Sequence, residues 1–450
     1  MASKRAYMNL LYYSVHLLIY FLVSCWQSVS WRITGIHKHL QNCQDGKNYE
    51  TSAQLKKVLF TPRTLKTMAI VQRRNFITSH VCFLHPEYAL QKHIVLLTVS
   101  KAHAIFCVPP KHVDVYDTRK FPFLFISALF AAEYLLVVPI ASFNRLAESM
   151  PDNKAKVLWI YHTGRCGSTA LAQAFNSLPD ALTISEPYSY VSLLHTFNDG
   201  KYNLKMNEKF RRLFRNVVRV SLKPSLKPAD IIAVKYSPVN ALPNIDLLTE
   251  LFPEFKVIFM YRDMKPAVMS LYRATKGLEL ASTITGYVAS NSILSTLFPS
   301  VRPMRIEYYR CHSTKEHAEW LYSRHQTKPV DMFMQCVIGY AETCHHYRDF
   351  VEKEKSTIPA FKYEILMADM KQQLSALFQF CELAFTEERW SLLQEALGSD
   401  SQGQSEISRA EASKRNVQIT PEMISDANRV AKFLKLPNWD EPIVLPNTIH

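Results

Sequence analysis

The 450-residue chain is 48% hydrophobic and 20% charged, which suits one large globular domain with an appendage, or two domains. Nine scattered cysteines without a CxxC pair argue against a disulfide-built scaffold, and ten glycines without a Gly/Ser tract argue against long flexible linkers. The net charge of +14 is mostly N-terminal: residues 1–150 hold 17 basic and 7 acidic side chains, whereas the remaining 300 hold 36 and 32. That arm lacks the aromatic and basic interleaving of single-strand nucleic-acid readers. Attraction to an anionic membrane face fits it better.

In chain order, Ala6 to Trp31 contains no Asp, Glu, Lys or Arg and follows Lys4 and Arg5. About 20 apolar residues cross a bilayer, so this stretch is expected to be a membrane anchor. A cleaved signal peptide and a buried core helix are the competing readings. Residues 32–120 are basic and carry no legible motif. Phe121 to Asn144 is a second apolar run, interrupted by Glu133 and Pro139, and reads either as a second span or as a buried helix or strand pair. With the first run alone spanning, the rest of the chain faces a lumen and a Golgi location is expected. With both spanning, it faces the cytosol.

From residue 151 onward the pattern changes to that of a single α/β domain running to residue 450. Apolar, β-branched runs at 156–161, 181–186, 230–236, 255–262 and 360–366 predict strands. Amphipathic stretches at 168–178, 244–252, 265–276, 331–354 and 370–383 predict helices. Strands alternating with helices imply an α/β fold, a parallel sheet covered on both faces in three layers, with ligands beyond the carboxyl ends of the strands.

Two motifs fall at those ends. The strand VLWIY is followed by HTGRCGST, a glycine-bearing turn before a helix that begins near Ser168. Such a turn aims backbone N–H groups and the positive end of the helix dipole at one point and so cradles an anion. The nucleotide-triphosphatase loop has a lysine before its Ser/Thr. Here Gly167 directly precedes Ser168 and Thr169, and the next apolar strand ends in Arg262 where a magnesium-holding carboxylate would be expected. Arg262 and Ser270, eight residues apart, make a guanidinium-and-hydroxyl claw suited to a phosphate monoester. The bland reading of Arg262 is a pairing with Asp263 or with a helix C-terminus. No metal is expected: the cysteine and histidine groups at 311–320 and 344–346 match no zinc spacing.

Together these residues resemble the sulfotransferase family, which uses 3′-phosphoadenosine 5′-phosphosulfate (PAPS), over roughly residues 155–435. The resemblance implies a P-loop NTPase-like sulfotransferase fold in which Thr163, Gly164, Arg165, Cys166, Gly167, Ser168 and Thr169 hold the 5′-phosphosulfate. Arg262 and Ser270 would grip the 3′-phosphate, and Tyr363, in FKYEIL, would lie near the adenine. Lys235 matches a family lysine, but Ser237 stands where the cytosolic branch has a histidine base. Glu186, in LTISEPYSYV, is therefore the expected base, as in the carbohydrate and tyrosylprotein branch. Its alternative is a structural pairing with Arg165. Arg165 and Lys235 complete the implied catalytic set by neutralising charge on the sulfuryl group. Arg409, Lys414 and Arg415 fall where family members close a basic loop over the 3′-phosphate. The implied reaction moves a sulfuryl group from PAPS to an acceptor hydroxyl or amine. A P-loop kinase or nucleotidase acting on ATP is the runner-up, and a non-catalytic membrane protein with a nucleotide fold is third.

Overall fold

The computed structural model describes residues 2–61, 71, 73–197, 207–236, 245–275, 332–398 and 414–450. Among these residues the C-terminal two thirds are built on five strands: β6 (Lys156–His162), β7 (Ala181–Ser185), β8 (Ile231–Lys235), β9 (Lys256–Tyr261) and β10 (Ala360–Lys362). They lie in the order β10-β9-β6-β8-β7 and are all parallel. Almost every residue of these strands is buried, because helices cover both faces. That burial explains why each strand reads as a continuous apolar run rather than an alternating one.

The expected helices form close to their predicted bounds: α5 (Ser168–Ser177), α8 (Ile245–Leu251), α9 (Met264–Thr275), Met332–Glu354 and Met370–Phe380. Sequence periodicity did not expose α6 (Tyr188–Phe197) or α7 (Glu208–Ser221). One boundary is corrected. The chain predicted as strand through residue 366 leaves the sheet at Lys362, and Tyr363–Ala368 is a short helix. Beneath β6 the buried Trp159 ring packs with Tyr190, Tyr236 and Phe255 at centroid distances of 5.2, 5.7 and 6.2 Å. These rings come from β6, α6 and the chain beside β8 and β9, so they bind helix to sheet.

The N-terminal third contains a second sheet that the sequence did not announce. Strands β1 (Ala53–Phe60), β2 (Ile77–Leu84), β3 (Val95–Val99), β4 (His103–Val108) and β5 (Tyr134–Pro139) pair in the order β2-β1-β5-β4-β3, all antiparallel. The apolar run 121–144 is therefore not a span. It divides into α3 (Leu124–Ala131), β5 and α4 (Ile140–Ser149). Glu133 sits exposed in the α3–β5 turn and donates its N–H to the Val108 carbonyl at 3.1 Å, while Pro139 ends β5 and precedes α4.

The expected anchor is also revised. The N-terminal segment forms helix α1 (Ala2–Ile33), followed by α2 (Ile36–Gln44). Among the described residues no helix is long and apolar enough to cross a membrane. One side of α1 is bonded to the antiparallel sheet region, through His16 Nε2 to the Arg74 carbonyl at 2.8 Å and Gln27 Nε2 to the Thr78 carbonyl.

The two sheets share one hydrophobic core. Polar bonds tie them as well. Ser192 on α6 accepts the Val99 N–H at 2.9 Å. The buried Lys223 ammonium donates to the carbonyls of Ala89 (2.9 Å), Gln91 (2.6 Å) and Ile94.

Candidate active site

The predicted site residues lie at the carboxyl ends of the five parallel strands, with Ser270 farther along, on α9. Strand β6 ends in Tyr161 and His162, and the turn Thr163–Gly167 carries the chain into α5. Gly164 and Gly167 have φ of 76° and 82°, and Arg165 has φ of 55°. Left-handed backbone at three positions within four residues makes the sharp concave turn, and glycine supplies two of them without strain. A Cβ at Gly167 would stand 2.9 Å from Cδ2 of Tyr363. Only glycine fits there.

Not every N–H of the turn is available to a ligand. Thr163 donates its N–H to the Met260 carbonyl at 3.0 Å, and Gly164 donates to His162 Nδ1 at 3.1 Å. The predicted cradle from Gly164 to Thr169 is thus shortened at its first residue. The acceptor role of Nδ1 places the His162 proton on Nε2. Burial and the nearby Lys235 charge hold this imidazole far below the usual histidine range, so it is neutral. The Cys166 side chain is fully buried, its thiol 3.5 Å from the Met260 carbonyl, and burial raises its pKa. It contributes packing and backbone, not a nucleophile. Ser168 and Thr169 are buried at the start of α5.

Lys235 closes β8. Its ammonium donates to Thr169 Oγ1 at 3.0 Å and to Glu186 Oε1 at 2.6 Å, so the loop, β8 and the end of β7 meet at one cation. Glu186 follows β7 with φ of 52°, a strained conformation for a residue with a Cβ. It is fixed by its own N–H, which donates to the Lys235 carbonyl at 2.7 Å. The alternative pairing of Glu186 with Arg165 is not the arrangement found.

Arg165 instead turns to the other motif. Its Nε donates to Ser270 Oγ at 2.8 Å. Arg262, just beyond β9, reaches the Arg165 carbonyl with Nη1 at 3.5 Å. Its guanidinium lies over the Tyr363 ring at 4.5 Å, and its Nε is 3.4 Å from Glu364 Oε1. The pairing with Asp263 expected of a lone arginine does not form, because Asp263 takes the Lys362 ammonium at 2.8 Å and Arg262 engages Glu364 with one edge of its fork. Tyr363 backs the loop glycine and the arginine at once. The Tyr340 hydroxyl anchors the Arg262 carbonyl at 2.6 Å.

Three participants escaped sequence reasoning. His162 directly precedes the turn but carries no motif of its own. Glu364 sat unremarked beside Tyr363. Phe123 comes from the N-terminal unit, outside the segment that resembles the family, and its ring lies 4.9 Å from the Lys235 ammonium. Phe123, Phe125 and Tyr188 continue as an aromatic row at 6.1 and 5.3 Å. Ser185 Oγ fixes this row's base by donating to the Pro122 carbonyl at 2.6 Å. Of the late basic residues, Arg409 lies outside the described residues, as do Ser237 and the cysteine and histidine group at 311–320. Arg415 donates to the Arg273 carbonyl at 3.2 Å and to Ala274, at the end of the helix that carries Ser270. Among the described residues no group of His, Cys, Asp and Glu is placed to hold a metal ion.

Residues 155–434 match the sulfotransferase domain family. Solved structures similar to this chain include mouse sulfotransferase SULT7A1 complexed with PAP (13% identity, 65% of this chain and 92% of that one, TM-score 0.30). The sulfotransferase from Alicyclobacillus acidocaldarius matches at 12% identity over 65% of this chain and 100% of its own, with a TM-score of 0.32. Sulfotransferase STF9 from Mycobacterium avium matches at 10% identity over 65% and 78%, with a TM-score of 0.34. No curated protein matches the chain. With the domain match spanning well over half of its length, the chain belongs to the sulfotransferase family.

Proposed function

We propose that this protein transfers a sulfuryl group from PAPS to an acceptor hydroxyl by in-line displacement. The observation that carries this reading is the 2.8 Å bond between Arg165 and Ser270. It joins the anion cradle to the second, phosphate-gripping motif in one corner, with Arg262 in contact with the loop. A ligand with a phosphosulfate and a separate monophosphate requires two such anion sites side by side.

The remaining N–H groups of the turn and the start of α5 hold the phosphosulfate. Arg165 and Lys235 face charge developing on the sulfuryl oxygens and on the departing bridge oxygen, an electrostatic contribution that dominates such transfers. Glu186 takes the acceptor proton as the acceptor oxygen bonds to sulfur, and the electron pair of the broken S–O bond leaves on the phosphate. With a glutamate base, our reading is the carbohydrate and tyrosylprotein branch. The contact between Lys235 and Glu186 supports this base, since one cation can steer both the proton acceptor and the leaving oxygen. The acceptor approaches along the row of Phe123, Phe125 and Tyr188, whose rings are tilted to one another by 32° and 37°.

Adenosine 3′,5′-bisphosphate is expected to raise the melting temperature without magnesium, and Arg262→Ala to abolish most of that shift. Arg262→Ala is also expected to narrow the preference over the 3′-dephosphorylated nucleotide. Equal stabilisation of the native protein by both nucleotides, or a strict requirement for magnesium with ATP, would overturn the reading in favour of a kinase or nucleotidase.

A further inference from the structure

Apolar surface is concentrated on one helix. Among the described residues fifteen large hydrophobic side chains are exposed, ten of them on α1 and three more, Leu59, Phe60 and Val81, on β1 and β2. Seven of the ten, Leu11, Val15, Leu18, Leu22, Trp26, Val29 and Ile33, recur at spacings of three and four, one unbroken stripe along the helix. At 1.5 Å per residue it is about 33 Å long. Tyr12, Ile19 and Phe21 widen it beyond a narrow seam. The opposite side of α1 is occupied by the protein itself. His16 and Gln27 bond to backbone carbonyls of the sheet region, and Trp31 lies under the Lys56 ammonium at 4.9 Å.

We infer that this stripe is seated in the surface of an anionic lipid bilayer, with α1 lying in the membrane plane rather than crossing it. Three observations select that occupant. Exposed apolar surface of this extent does not stay in water. A helix pair in water flanks its seam with charged residues, whereas no residue from Ala6 to Trp31 is charged. At the end of the stripe stand the exposed cations Arg32 and Lys38, with exposed Lys57 on β1, within a region where 17 basic residues face 7 acidic ones. An apolar face about 5–10 Å deep in the headgroup boundary, rimmed by lysine and arginine, describes an interfacial helix. The bonds from His16 and Gln27 keep the catalytic body against the surface.

The test is flotation of the full-length protein with phosphatidylcholine vesicles, with and without phosphatidylserine, beside a Leu18→Asp/Leu22→Asp/Trp26→Asp variant. The native protein is expected to float with both and more strongly with phosphatidylserine, the difference shrinking at high salt. The variant should lose about tenfold or more of the bound fraction while keeping its melting response to adenosine 3′,5′-bisphosphate. Should the variant misfold, quenching of native fluorescence by brominated lipid, absent in Trp26→Phe, reads the same face directly. Three results would overturn the inference: no flotation of folded protein, a dimer in solution that the aspartate variant dissociates, or floated protein that resists alkaline carbonate as a spanning segment does.

Discussion

Lys235 is the most heavily used residue of the site, with Thr169, Glu186 and the Phe123 ring all on its ammonium. Lys235→Met is expected to lower kcat by roughly 10²–10³, the usual loss of one charge-stabilising donor. Glu186→Gln should cost about 10²–10⁴ in kcat as a lost general base while leaving nucleotide binding intact. Pre-steady-state sulfuryl transfer with a calorimetric Kd separates the two effects, and an unchanged kcat in Glu186→Gln would remove the base assignment. Gly167→Ala forces a Cβ against Tyr363 at an unfavourable φ and should cost about 1–3 kcal/mol of stability, visible in urea unfolding. His162 gives a pH signature. Its folded pKa is depressed by burial, so the unfolded chain binds its proton near pH 6.5 and the folded one does not. Stability from this group is complete above that pH and falls as the medium is acidified below it, by up to about 1.4 kcal/mol per pH unit. His162→Asn keeps an acceptor for the Gly164 N–H and should show a smaller drop in melting temperature between neutral and mildly acidic buffer. At this scale residue type and spacing singled out Arg262 and Ser270, which meet not each other but Arg165, through its carbonyl and its guanidinium. The sequence was silent on Phe123 and His162, because tertiary contacts alone bring them to the corner.

Among the elements, the parallel strands were legible because both of their faces are covered, so most of their positions had to be apolar. The antiparallel sheet was not, for physical reasons. Its alternation is broken by register shifts at Leu55/Lys56, Val58/Phe60 and Leu96/Thr98. Gln54 and Lys56 are buried on β1, where a sequence pattern places solvent-facing residues. The run 121–144 stayed open between a span and buried elements, since hydropathy does not distinguish a continuous helix from a helix, a strand and a second helix. The stretch after Lys362 misled through its aromatic and β-branched residues, which here begin a helix. Between elements, Lys223 ties the end of α7 to the turn before β3, satisfying three carbonyls. Burial lowers its pKa to about 7, but the acceptors give its hydrogens a defined place. Lys223→Met keeps the bulk and strips the donors, so it should cost about 2–4 kcal/mol from newly unsatisfied buried carbonyls. Equilibrium denaturation measures this.

Over the whole molecule, the segment that matches the family is not the whole of the folding unit. One core runs through both sheets, and the N-terminal unit contributes Phe123 to the site. A chain begun at residue 151 is therefore expected to be insoluble or to lack a cooperative transition, whereas the full chain unfolds in a single step by calorimetry. Two separate transitions in the full chain would contradict this. The groups proposed to handle the sulfuryl donor hang from the ends of four different strands rather than from a single loop. Their mutual distances are consequently set by the twist of the sheet, and that twist is braced by the Trp159 ring and its aromatic neighbours beneath. Trimming one of those rings, far from any reacting atom, would splay the strands and register as misaligned chemistry before it registered as unfolding.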